Sequence, residues 1–124
     1  MEKLKVKNAI ISKQGKQSSN YTRFLEIARK KKIKVMVVQA GDSITIDKNC
    51  HLEILFPKQE LITNNVLNNN SVVAKFVYQP KNVQEFTLML TGDVEKIAEE
   101  QLVEMYKNTN NLQAQVLKIA HHRL

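Results

Sequence analysis

Leu88-Met89-Leu90-Thr91-Gly92-Asp93 is an apolar run that stops at Gly-Asp. It opens directly into a segment whose apolar residues Val94, Ile97, Ala98, Leu102, Met105 and Tyr106 share one stripe. The change from a short β-type run to a 3.6-residue period predicts strand, turn and helix in succession. A second run, Leu117-Lys118-Ile119-Ala120, stops at His121-His122. A strand joined through a helix to another strand makes the fold class α/β. It also places a carboxylate and an imidazole pair at strand ends, where rigid elements aim metal ligands.

Upstream of this unit, Leu4 to Ile11 reads as a strand, and Ser12 to Asn20 as a loop with Ser18, Ser19 or Asn20 available as a helix cap. Tyr21, Phe24, Leu25 and Ala28 form one face of the next helix. Ile33 to Gln39, with Val35, Met36, Val37 and Val38 in a row, predicts a strand buried on both sides. Ala40-Gly41-Asp42 makes a turn, and Ser43 to Asp47 a strand. After the turn at Asp47-Lys48-Asn49, alternation predicts Leu52, Ile54 and Phe56 on one face of a strand ending at Pro57. Lys58 to Asn70, rich in asparagine, predicts irregular turns. Ser71 to Tyr78 and Glu85 to Leu90 are paired strands around a hairpin at Gln79–Gln84, and Gln115 to Ala120 is a final buried strand. The chain reads as one domain or part of one, residues 1–124, without repeats or linkers.

The 124 residues carry 19 Lys plus Arg against 12 Asp plus Glu, a formal charge of +7. The densest cluster is Arg29, Lys30, Lys31, Lys32 and Lys34. Two readings stand: cations complementing a helix C-terminus, or a patch for a phosphate-bearing partner. Cys50 is the only cysteine, which excludes an intrachain disulfide and a cysteine-based metal site. No run is long enough for a membrane span and no signal-peptide core is present, so the segment is expected to be soluble. Serine hydrolase, kinase and dehydrogenase signatures are absent. Asp93 has two competing roles, N-cap of the following helix or strand-end ligand. His121 and His122 would face opposite ways on an extended strand, so one of them would serve. Asp42 reads as a turn residue and His51 as an exposed side chain.

Five phrases, in order, resemble the metallo-β-lactamase-fold domain of ComEC-type DNA-uptake competence proteins. They are Ala40-Gly41-Asp42-Ser43-Ile44, Leu52-Glu53-Ile54-Leu55-Phe56-Pro57, Leu67-Asn68-Asn69-Asn70-Ser71-Val72-Val73, Leu90-Thr91-Gly92-Asp93-Val94-Glu95 with Ala98-Glu99, and Val116-Leu117-Lys118-Ile119-Ala120-His121-His122. The resemblance runs from about Asn8 to His122 and implies one half of an αβ/βα sandwich, a mixed sheet with helices on one face. It implies that Asp93 and His121 or His122, with His121 favoured, are metal ligands. It further implies a site in which Asp93 can bridge two zinc or manganese ions, one generating hydroxide while both stabilise charge on a phosphodiester. The implied substrate is DNA, and the implied parent is embedded in a membrane.

Two departures accompany the resemblance. The family's His-x-Asp-x-Asp-His or His-x-His-x-Asp-His motif would lie before residue 1, and the family's His-His-Gly-Ser is here His121-His122-Arg123-Leu124. The expectation is a C-terminal half-domain, inactive alone, whose partners are the N-terminal half, DNA, or a second copy through exposed strand edges. The competing expectation is a non-catalytic module that binds nucleic acid or a protein through its basic face.

Overall fold

The computed structural model describes residues 5–13 and 18–120. Strand β1 (Asn8–Ser12), helix α1 (Ser19–Lys30) and strand β2 (Lys34–Val38) form a βαβ unit. Its two strands pair in parallel, from Asn8 opposite Lys34 to Ser12 opposite Val38. Ser18 is the cap: its Oγ accepts from the Tyr21 N–H at 3.1 Å. The helix stops where Lys32 turns into the left-handed region, and β2 starts two residues later. β2 is not buried throughout, since Lys34 and Val37 are exposed. Its valine run arises from a strand near the outside of the molecule.

The rest of the chain builds a five-stranded sheet in the order β3 (Ser43–Asp47), β4 (Cys50–Phe56), β5 (Val73–Tyr78), β6 (Phe86–Leu90), β7 (Val116–Lys118). The first four are antiparallel neighbours in chain order, with a tight turn between β3 and β4 and a long connection between β4 and β5. β7 is parallel to β6, because helix α3 (Lys96–Tyr106) carries the chain back between them. The sheet is therefore mixed and the fold α/β. A one-turn helix, α2 (Val66–Asn69), interrupts the asparagine-rich segment. No helix among the described residues is long and apolar enough to cross a membrane.

Each face of the five-stranded sheet has its own core. On one face Leu55, Phe56, Val73 and Met89 pack with Val94, Ala98 and Leu102 from α3 and the residues leading into it. On the other, Ile54, Ala74, Ile44 and Leu52 pack against Ile10, Met36 and Val38 of the two-stranded sheet. The two-stranded sheet thus stacks on one face of the five-stranded sheet, and α3 packs on the other. Burying a side chain such as Phe56 (1% exposed) or Val94 (1%) contributes about 2 kcal/mol each.

Alternation alone puts Ile54 and Phe56 on one face, but they serve different cores. Ile54 pairs with Ala74 and Phe56 with Val73, so two steps on β4 match one on β5. Leu55 is the extra residue of a bulge, which flips the phase of everything after it. The bulge leaves the Leu55 carbonyl outside the β4–β5 ladder, and Tyr106 Oη donates to it at 2.6 Å. That bond fastens the end of α3 to the irregularity in β4.

β7 departs furthest from expectation. It is exposed at Val116 (44%) and Leu117 (58%) because it is an edge strand of three residues with one neighbour. The two-stranded sheet is also too narrow to cover all five strands. Where its cover ends, Ile10, Val72, Ala74, Leu90 and Gly92 line an apolar groove of about 330 Å³.

Candidate functional site

The C-terminal ends of β2, β4, β6 and β7 and the start of β5 share one edge of the molecule. Ala40 N–H reaches the Pro57 carbonyl at 2.8 Å, joining the end of β2 to the end of β4. Phe56 pairs with Val73, Ala74 with Leu90, and Leu90 with Lys118. Thr91-Gly92-Asp93 leaves the sheet on this edge. Thr91 Oγ1 donates to the Lys118 carbonyl at 2.8 Å, so the exits of β6 and β7 are tied side by side.

Gly92 is required here. Its φ is +57°, and a Cβ at this position would lie 2.7 Å from Ser71 Cβ and 3.2 Å from the Val72 carbonyl oxygen. The absence of a side chain lets the turn close onto Ser71, whose Oγ accepts from the Asp93 N–H at 3.2 Å. The phrases Asn68–Val73 and Leu90–Glu95, far apart in sequence, thus form one packed unit.

Asp93 does not cap α3. The helix starts at Lys96 with Glu95 in the N-cap position, and Glu95 makes no side-chain cap bond. The orphan N–H of Glu95 is satisfied instead by Asn69 Oδ1 at 3.0 Å. Asn69 Nδ2 in turn donates to Glu95 Oε1 at 3.1 Å, and Asn65 Nδ2 does so at 2.9 Å. Asn69 is 0% exposed and Asn70 2%. Asn70 closes the preceding loop on both sides, its Oδ1 accepting from Ile62 N–H and its Nδ2 donating to the Ile62 carbonyl. The segment that reads as irregular turn is therefore a buried amide network, and it takes the capping duty from Asp93. The partly exposed Asp93 carboxylate stays at the strand-end turn.

His121 and His122 lie outside the described residues. The chain runs towards them from β7 through Ala120, which is 4% exposed. Among the described residues no three His, Cys, Asp or Glu side chains converge. Asp93 is the one sequence-predicted ligand that lies within the described residues.

The remaining candidates have structural partners. Asp42 Oδ2 accepts from Gln39 N–H at 2.9 Å, which makes it a turn residue. His51 is half exposed, with Nε2 3.2 Å from Glu53 Oε1, near the start of β4 and away from the Asp93 edge. Glu53 Oε2 lies 4.0 Å from Lys75 Nζ. Lys75 is 8% exposed and donates to the Asn110 and Gln113 carbonyls at 3.4 and 3.3 Å. This row, which composition does not announce, ties the loop after α3 to the sheet. Burial pushes the Cys50 thiol up, and the Asp47 carboxylate adds to the effect. The thiol is thereby kept from becoming a thiolate nucleophile. Asp47 itself is held below the usual carboxylate range by the N–H of Asn49, 2.7 Å away, and by the Cys50 thiol.

No family model, curated protein or solved structure matches the chain.

Proposed function

We propose that the chain is the C-terminal half of a metal-dependent hydrolase of the metallo-β-lactamase type, acting on phosphodiester bonds of DNA. The observation that carries this reading is the Thr91-Gly92-Asp93 turn. It sits at the end of β6, bound to the end of β7, and the N-cap position of α3 is taken by Glu95. Asp93 follows β6, and β7, the strand that precedes His121–His122 in the sequence, is the parallel neighbour of β6. The narrow two-stranded sheet stacked on a mixed sheet that α3 covers on its other face also suits half of a sandwich. The apolar groove bordered by Leu90 and Gly92 is where the other half would bring its strands.

In this reading Asp93 and His121 or His122 would hold a zinc or manganese ion together with ligands from the complementary half, and the ion would supply a hydroxide nucleophile. The contribution of this half is positional. Gly92 and Ser71 fix the turn, and Thr91 locks it to β7. The 124 residues alone are expected to be inactive.

The test compares the protein assembled with its complementary half to its Asp93→Ala variant. Manganese or zinc binding by calorimetry should be lost in the variant, and cleavage of duplex DNA should fall by at least about a thousandfold, as for loss of a group on which charge stabilisation depends. Metal binding and cleavage that survive Asp93→Ala would refute the proposal.

A further inference from the structure

The surplus of positive charge belongs to the first third of the sequence. Residues 1–39 contain eleven Lys or Arg and two Glu, whereas residues 40–124 contain eight Lys or Arg and ten acidic residues. Six of the eleven cations gather at one end of the βαβ unit. Arg29 and Lys30 form the last turn of α1, and Lys31 and Lys32 the tight turn that follows. Lys34 opens β2, with its N–H on the Lys7 carbonyl at 3.0 Å, which brings the start of β1 to the same end. Lys7, Arg29, Lys30, Lys31, Lys32 and Lys34 are all exposed, while Ile33 between them is buried.

This end is opposite the candidate site. It lies at the N-terminal ends of β1 and β2, and the Asp93 turn lies on the edge where β2, β4, β6 and β7 finish. A five-residue strand separates the two edges by roughly 16 Å. A small ligand seated at the Asp93 turn is therefore out of reach of the cation cluster. Complementing the dipole of α1 needs one or two cations in its last turn. It does not account for Lys32, Lys34 and Lys7, which lie beyond the helix.

We propose that this edge is a second, separate docking surface for the sugar-phosphate backbone of a nucleic-acid duplex. The chemistry favours a duplex over the alternatives. Among the described residues, the apolar side chain between the cations of 29–34, Ile33, is buried and is not presented to a bilayer. The nearest aromatic residues, Tyr21 and Phe24, are in the first half of α1 and face each other with ring centroids 6.5 Å apart. No stacking platform for unpaired bases is offered. Recognition is by phosphate contacts alone and is indifferent to sequence.

The test is fluorescence anisotropy of a labelled 20-base-pair duplex with the 124-residue chain, in chelator so that the Asp93 site takes no part. With about five phosphate contacts, affinity should fall about 500-fold between 50 and 200 mM salt. In the variant Lys30→Gln/Lys32→Gln/Lys34→Gln the same salt step should cost only about 10-fold. A control of equal charge, Lys48→Gln/Lys81→Gln/Lys96→Gln, should keep the full salt dependence, and Asp93→Ala should bind like the unaltered chain. Equal weakening by the two triple variants would show a response to net charge and overturn the proposal. Absence of duplex binding, or binding to phosphatidylserine vesicles without duplex binding, would overturn it as well. Loss of binding in Asp93→Ala would also count against it, by assigning the duplex to the other edge.

Discussion

Replacing Gly92 by alanine tests the packing on which the Asp93 turn depends. The residue stands at φ +57°, where an L side chain costs about 1 kcal/mol or more. The added Cβ would meet Ser71 Cβ at 2.7 Å, below any normal contact, and the Val72 carbonyl oxygen at 3.2 Å. Ser71 and Val72 lead into β5, a central strand, so the neighbours cannot withdraw without moving the sheet. Overpacking of this kind costs about 1–3 kcal/mol. A shift of the turn also weakens the Asp93 N–H to Ser71 Oγ bond, worth about 1 kcal/mol. The expected loss is about 3 kcal/mol in urea unfolding, seen as a lower midpoint at unchanged slope. Ser71→Gly removes the nearest clashing atom, so the double variant should recover about 1–2 kcal/mol relative to additivity. A loss under about 1 kcal/mol, or strict additivity, would refute the close approach of the two segments.

Four further outcomes are expected. Asn69→Ala should destabilise by about 3 kcal/mol, because it orphans the buried Glu95 N–H and breaks the amide network; a loss within about 0.5 kcal/mol would contradict its role as the surrogate cap. Tyr106→Phe should cost about 1–2 kcal/mol by freeing the bulge carbonyl of Leu55. Burial raises the Tyr106 pKa above the ordinary 10.0, so its contribution is complete below pH 10.0 and is lost as pH rises through the folded-state value; alkaline unfolding curves of the two proteins should converge there. The Asp47 pKa is lowered from 3.8, so its contribution is present above pH 3.8 and disappears as pH falls through the folded-state value; Asp47→Asn should flatten the acid limb of the stability curve. Leu117→Lys should reduce self-association by ultracentrifugation while leaving the urea midpoint nearly unchanged, since Leu117 is 58% exposed on an edge strand.

The elements whose information is local were legible in the sequence. The switch of period at Gly92-Asp93 located β6 and α3, and Ser18 capped α1 as its chemistry suggests. What escaped depends on partners distant in the chain. Aspartate before an apolar stripe is a good cap by every local rule, yet Asn69, twenty-six residues before Glu95, supplies the acceptor. Val94 belongs to the stripe but precedes the helix, so the start of α3 is displaced to Lys96. The phase slip at Leu55 has no signature in Leu52-Glu53-Ile54-Leu55-Phe56, because a bulge is defined by its partner strand. The exposure of β7 follows from its position in the sheet order, and apolar composition alone reads it as buried. For the candidate site, the sequence supplied Asp93 and its turn, while the role of Ser71 in seating that turn required the fold.

The three residues of β7 are held through β6 alone, with parallel pairing and side chains mostly in solvent. Such a strand is a separate unit of local opening, far cheaper to release than the global fold. Amide hydrogen exchange should divide the sheet sharply, with β5 protected between two neighbours and the Val116–Lys118 amides exchanging early. Any ligand that grips the chain beyond β7 must first close this strand. Part of its intrinsic affinity is then spent on shifting that equilibrium, and a partner that clamps the free edge of β7 would tighten such a ligand without touching it.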